Sequence, residues 1–103
     1  KVFEATSIAT RPTPDTNIKD LICFETPSST EWNVSKNKFS PNLFTDIESV
    51  IDQKLKAISC YKKEINPYPH PRSLDAIKNR SKHWGSTVGL KYAEAFHIIR
   101  QIK

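Results

Sequence analysis

Glycine occurs twice in 103 residues, and methionine does not occur at all. Two glycines cannot build a glycine-rich phosphate loop, which excludes nucleotide binding of that kind. Both fall in the short stretch Gly85-Ser86-Thr87-Val88-Gly89, where they signal a demanding backbone. There are two cysteines, Cys23 and Cys60, each within an apolar pattern. That usage argues against a disulfide framework and for reduced, buried thiols in a cytoplasmic protein. No apolar run approaches the roughly 18–20 residues that span a bilayer, and no signal-peptide pattern opens the chain. The three histidines, His70, His83 and His97, show no H-x-x-x-H or H-x-D spacing, and no C-x-x-C pair accompanies them. A zinc site of ordinary spacing is therefore absent from this stretch of sequence. Ser28 and Ser29 lack the glycine elbow of a nucleophilic serine and read as turn or cap residues.

Acidic residues are scarce in the second half. Residues 1–52 hold 5 Lys/Arg against 8 Asp/Glu, a net of −3; residues 53–103 hold 11 against 3, a net of +8. The basic residues are scattered along helical patterns, which describes a solvated face better than a nucleic-acid surface. Binding to nucleic acid or another polyanion is the weakest of the functional readings.

Strand-forming residues dominate two early segments. VFEATSIAT (2–10) and IKDLICFE (18–25) are rich in β-branched and aromatic types and predict strands. Arg11-Pro12-Thr13-Pro14 separates them as a loop. Residues 31–41 read as irregular, anchored by Trp32 and Phe39, and 42–44 as a short extended piece. Thr45-Asp46-Ile47-Glu48 has the form of a capping box, followed by Ile47, Ile51, Leu55 and Ile58 at helical spacing. This predicts a helix over about 46–65, stopped by Asn66-Pro67. Ser73 and Asp75 open a second helix, which Gly85 is placed to end. Tyr92, Ala95, Phe96, Ile99 and Ile102 predict a third helix over 91–102. The sum is α/β: two or three strands and three helices in a single partial domain, 1–103. Two apolar strands make a poor sheet alone, so the fold looks like part of a larger one.

NPYPHPRS (66–73) sets His70 and Arg72 two residues apart in a stiff, proline-rich segment. It is either a rigid connector or a device that presents Tyr68, His70 and Arg72 to a ligand. Arg11, at the exit of the first expected strand, could reach a cleft and offer its planar fork to oxyanions or hydroxyls.

An ordered set of segments carries a resemblance: Thr10-Arg11-Pro12, FETPSSTEW (24–32), FSPN (39–42), Tyr61, PHPRS (69–73), GSTVG (85–89) and YAEAF (92–96). Over nearly the whole chain this set resembles the C-terminal half of the LmbE-like, or PIG-L, deacetylases. The resemblance implies a Rossmann-like fold in the complete protein and zinc-dependent hydrolysis of an N-acetyl group on an amino sugar. It implies that an H-P-D-D-E-type motif and a later histidine hold the zinc. Neither is in this sequence, so no metal ligand or catalytic residue is expected here. Arg11, Tyr68, His70 and Arg72 are carried over as substrate contacts. The partners implied are the N-acetylated amino sugar and the half of the protein bearing the metal motifs. Without that half, the alternative is a naturally truncated, non-enzymatic module that self-associates or binds a partner.

Overall fold

Exposure alternates along Asp20–Phe24, the first strand, β1, within the expected IKDLICFE segment. The computed structural model describes residues 2–35 and 38–103. Strand β2 spans Leu43–Asp46 and β3 spans Ala93–Gln101. The long strand β3 lies in the centre, and β1 and β2 pair antiparallel on either side of it, in the order β1-β3-β2. Three helices accompany the sheet: α1 (Val2–Ala9), α2 (Ile51–Ser59) and α3 (Leu74–Val88). The α/β content expected from the sequence is present. The parallel pairing of a Rossmann-like sheet is not found among the described strands.

Helix α3 supplies the core. Trp84 packs on Ala93 and Ala95, each 1% exposed, with Phe39, Phe44 and Leu90 around it. The small alanines let the indole approach the sheet closely. Ile47 and Ile51 are buried where a 3-10 turn (Glu48–Val50) leads into α2. The Ile47 amide donates to the Tyr92 carbonyl at 3.1 Å, which ties this turn to the start of β3. Ser73 caps α3 as expected: its hydroxyl accepts from the Ala76 amide at 3.0 Å, and Asp75 sits in the first turn.

Two segments exchange the identities expected of them. In the 2–10 segment Val2–Ala9 form a helix, not a strand. Strand propensity reflects packing against neighbouring strands, and α1 has none beside it. It buries no residue; the Ser7 hydroxyl turns back to the Phe3 carbonyl at 2.8 Å, and that of Thr10, buried just after the helix, to the Thr6 carbonyl at 2.7 Å. In the 91–102 segment Ala93–Gln101 form the central strand, not a helix. The period-two burial of Ala93 and Ala95 prevails over the helical spacing of Tyr92, Ala95 and Ile99, because β1 and β2 satisfy both edges of β3.

The other corrections concern ends. Thr45 belongs to β2, and the capping box does not form. Asp46 accepts from the Glu48 amide at 3.0 Å, while the Glu48 carboxylate pairs with Lys91 at 3.3 Å. Helix α2 stops at Ser59, short of Asn66-Pro67, as bonds from Cys60 to Ala57 and from Tyr61 to Ile58 tighten its last turn. Helix α3 runs through Gly85 and ends at Gly89, whose φ of 80° is the left-handed cap. Gly85 serves a different need, the return of the chain across it. A Cβ there would lie 2.5 Å from the Leu90 carbonyl oxygen. Cys23 is half-buried and Cys60 is exposed, so the expected burial fails for Cys60; both are free thiols. In the segment 31–41, Lys36 and Asn37 lie outside the described residues.

Candidate functional site

Glu25 directly follows β1, and its side chain reaches α3. There Oε2 accepts from Arg80 Nε at 3.1 Å and from Trp84 Nε1 at 3.0 Å. Arg80 and Trp84 are four residues apart and share one face of α3. The Arg80 guanidinium lies 4.8 Å from the centre of the indole ring, a cation–π contact. One carboxylate thus joins the end of a strand to the core tryptophan and its arginine. Its side chain is 18% exposed and that of Arg80 33%, so the pair is better shielded than a surface ion pair.

The chain leaves Glu25 through Thr26-Pro27-Ser28-Ser29-Thr30, a tight turn. Ser28 is buried with φ of 72°, a left-handed conformation unusual outside glycine. Its amide donates to the Glu31 carboxylate, and the Thr26 amide donates to the Thr30 hydroxyl at 2.8 Å. The turn reading of Ser28 and Ser29 therefore holds. The Ser28 hydroxyl accepts from Arg72 Nε at 3.3 Å, and Arg72 Nη1 donates to Glu64 at 2.8 Å. This arginine pins the proline-rich segment to the β1 exit turn, 44 residues away in sequence.

Between these parts lies a groove of ≈ 930 Å³. The β1 exit turn forms one wall, α2 and the 61–72 segment another, and the 76–83 part of α3 a third. Four carboxylates face three cations: Glu25 and Glu31 share Arg80, at 3.1 and 4.0 Å, Glu64 pairs with Arg72, and Glu94 with Lys54 at 3.7 Å. Ile58, Ile65 and Ile77 give it apolar surface, and Tyr61 and Tyr68 stand at its edge, 68% and 62% exposed. Such a lining offers hydrogen-bond donors and acceptors with little net charge. It suits a neutral, hydroxylated ligand better than a strongly charged one.

The four expected contacts divide. Tyr68 and Arg72 line the groove. His70 does not. Its Nδ1 accepts from the Arg72 amide at 3.0 Å and its ring meets Trp32 edge-on at 5.1 Å, so it shapes the segment that carries Arg72. Arg11 is exposed after α1 and is not among the residues that line the groove. The strand whose exit it is expected to mark is the helix α1. Glu25, Glu31 and Arg80 were not anticipated as site residues. For Arg80 a signal existed, since the four-residue spacing from Trp84 places both on one face. For Glu25 none did, because its partners are 55 and 59 residues away.

Among the described residues, no group of three or more His, Cys, Asp or Glu side chains is arranged to hold a metal ion. No helix among them is long and apolar enough to cross a membrane. Compared with known proteins, the chain matches no family model and no curated sequence.

Proposed function

We propose that the groove is a substrate-facing wall of a zinc-dependent sugar N-deacetylase of the LmbE-like, or PIG-L, kind, and that it receives an N-acetylated amino sugar. One observation carries this reading. Residues 26–31 of FETPSSTEW and 69–72 of PHPRS, two stretches on which the resemblance rests, meet across a single groove through the Arg72–Ser28 contact. The paired charges and tyrosine hydroxyls of that groove match the donor and acceptor pattern of a sugar.

In this reading Arg72 and Tyr68 contact the sugar. Glu64 and Ser28 hold Arg72 in place, and Glu25 fixes Arg80 on the opposite wall. Zinc in such an enzyme polarises the acetyl carbonyl and activates water. The described residues do not fit it, and its ligands belong to motifs outside this sequence. The chain therefore acts as part of an enzyme, in the cytoplasm, where free thiols persist.

The test is a titration of the isotope-labelled chain with N-acetylglucosamine, followed by amide chemical shifts. Shifts should centre on Ser28, Tyr68, Arg72 and Arg80, and should vanish in Arg72→Ala. No perturbation at tens of millimolar, or perturbation confined to other surfaces, would sink the sugar-binding reading. The purified chain with added zinc should not deacetylate the sugar; robust turnover would overturn its assignment as an incomplete catalyst.

A further inference from the structure

The Arg72 amide is bonded to a side chain rather than to a carbonyl. Its partner is Nδ1 of His70, two residues back, at 3.0 Å. A backbone N–H can only donate, so this nitrogen accepts with its lone pair and the ring proton sits on Nε2. The bond therefore exists only while the imidazole is neutral. It closes the same turn in which the Ser73 amide donates to the His70 carbonyl at 2.9 Å. Pro69 and Pro71 flank His70 with fixed φ and no N–H, so the backbone has little freedom to adjust around a lost bond.

What this turn sets is the direction of the Arg72 side chain. Its Nε donates to the Ser28 hydroxyl at 3.3 Å and its Nη1 to Glu64 at 2.8 Å, so the guanidinium joins two walls of the groove. A proton on His70 Nδ1 would set an N–H against the Arg72 N–H, and the ring would have to turn away. The ring is half-buried, edge-on to Trp32, and open to protons from solvent. Charged and titratable groups on the elements around it are Arg72 and Glu64 in its own segment, Glu31 beside Trp32, and Asp75, Arg80 and His83 on α3. Glu64 is paired with Arg72, and Glu31 with the Ser28 amide and Arg80. Among the described residues no carboxylate forms an ion pair with His70, so no new charge contact offsets the lost bond.

We infer that His70 is a proton-operated latch on Arg72. Neutral, it holds the arginine across the groove; protonated, it releases it. The groove then loses one of its walls' shared contacts as the medium turns acidic. As control of ligand binding this rests on the sugar reading. The latch itself needs only the groove, and spectra of the ligand-free chain test it separately.

Nitrogen and amide resonances of the full chain are followed from about pH 5.5 to 7.5, a range that spans imidazole titration and lies above that of ordinary carboxylates. At the upper end His70 should carry its proton on Nε2. On acidification the Arg72 amide and side-chain Nε–H resonances should move along one curve with the His70 imidazole. His70→Asn supplies an oxygen that accepts from the amide two residues on, as in an Asx turn, and cannot titrate. Both Arg72 resonances should then stay fixed across the range. His70→Ala should leave the Arg72 Nε–H in its released position throughout. N-acetylglucosamine should bind the wild type about threefold or more weakly at the acid end, and His70→Asn equally at both ends. A His70 proton on Nδ1 at the upper end overturns the inference. So does an Arg72 Nε–H that ignores the imidazole, a His70→Asn chain that follows the wild-type curve, or wild-type sugar binding equally tight at both ends. If the Arg72 resonances follow the imidazole as expected but the sugar binds at neither end, the sugar reading falls and the latch stands.

Discussion

Replacing Gly85 by alanine sets two physical effects of opposite sign against each other. Within a helix, alanine is better than glycine by about 0.8–1.0 kcal/mol, so Gly85→Ala would stabilise an isolated α3. In the folded chain the new Cβ would sit 2.5 Å from the Leu90 carbonyl oxygen, 2.9 Å from the Lys91 carbonyl carbon and 3.0 Å from its oxygen. All three are backbone atoms, which cannot rotate away as a side chain would. They belong to the segment that enters β3, and the Leu90 amide is itself bonded to the Gly85 carbonyl at 2.8 Å. Relieving the overlap means pushing the start of the central strand away from Trp84. Overpacking of this kind costs about 1–3 kcal/mol, and fixed backbone puts this site at the upper end. The net expectation is a loss of about 1–2 kcal/mol. With a urea slope near 1 kcal/mol/M for a domain of this size, the midpoint should fall by about 1 M or more. Gly89→Asn is the matched control. Its backbone is left-handed, a conformation asparagine tolerates, and nothing lies within 4 Å of a Cβ there. It should lower the midpoint by less than half as much. A Gly85→Ala chain more stable than wild type would refute the steric account and show that helix propensity governs the site.

Two further perturbations probe the supports of the groove. Glu25→Ala removes the acceptor of the Trp84 indole N–H and leaves the Arg80 guanidinium with only the longer Glu31 contact at 4.0 Å. A loss of about 1–3 kcal/mol is expected, with a shift in tryptophan emission; Glu25→Gln, which keeps an acceptor for Trp84, should lose less. Equal losses for the two would mean that charge, not the indole hydrogen bond, is what matters. Ser73→Ala removes the cap of α3 and should cost about 1 kcal/mol in chemical denaturation, while Ser73→Asp should restore most of it. An unchanged midpoint in Ser73→Ala would show the cap to be without net effect.

The sequence alone determined the features that depend on near neighbours. The Ser73 cap, the acidic first turn of α3, the β1 strand and the turn at Ser28–Ser29 are local events, decided by groups within a few residues of one another. The count of elements was also legible, because Pro, Gly and polar runs mark breaks whatever lies between them. What kind of element fills each segment was not legible at the two ends of the chain. VFEATSIA has the composition of a strand but no strand to pair with, so it closes its hydrogen bonds internally as α1. AEAFHIIRQ has apolar residues at helical and at strand spacing alike, and only β1 and β2 on its two sides select the strand. The groove lies on the same side of that divide. Tyr68 and Arg72 could be named from a stiff segment, but His70 turns inward to hold that segment and Arg11 is not part of the lining. The residues that build the walls, Glu25 and Arg80, meet only because β1 and α3 are brought together by the burial of Trp84 against two alanines. Contacts 44 to 59 residues apart in sequence leave no local trace, and only tertiary packing creates them.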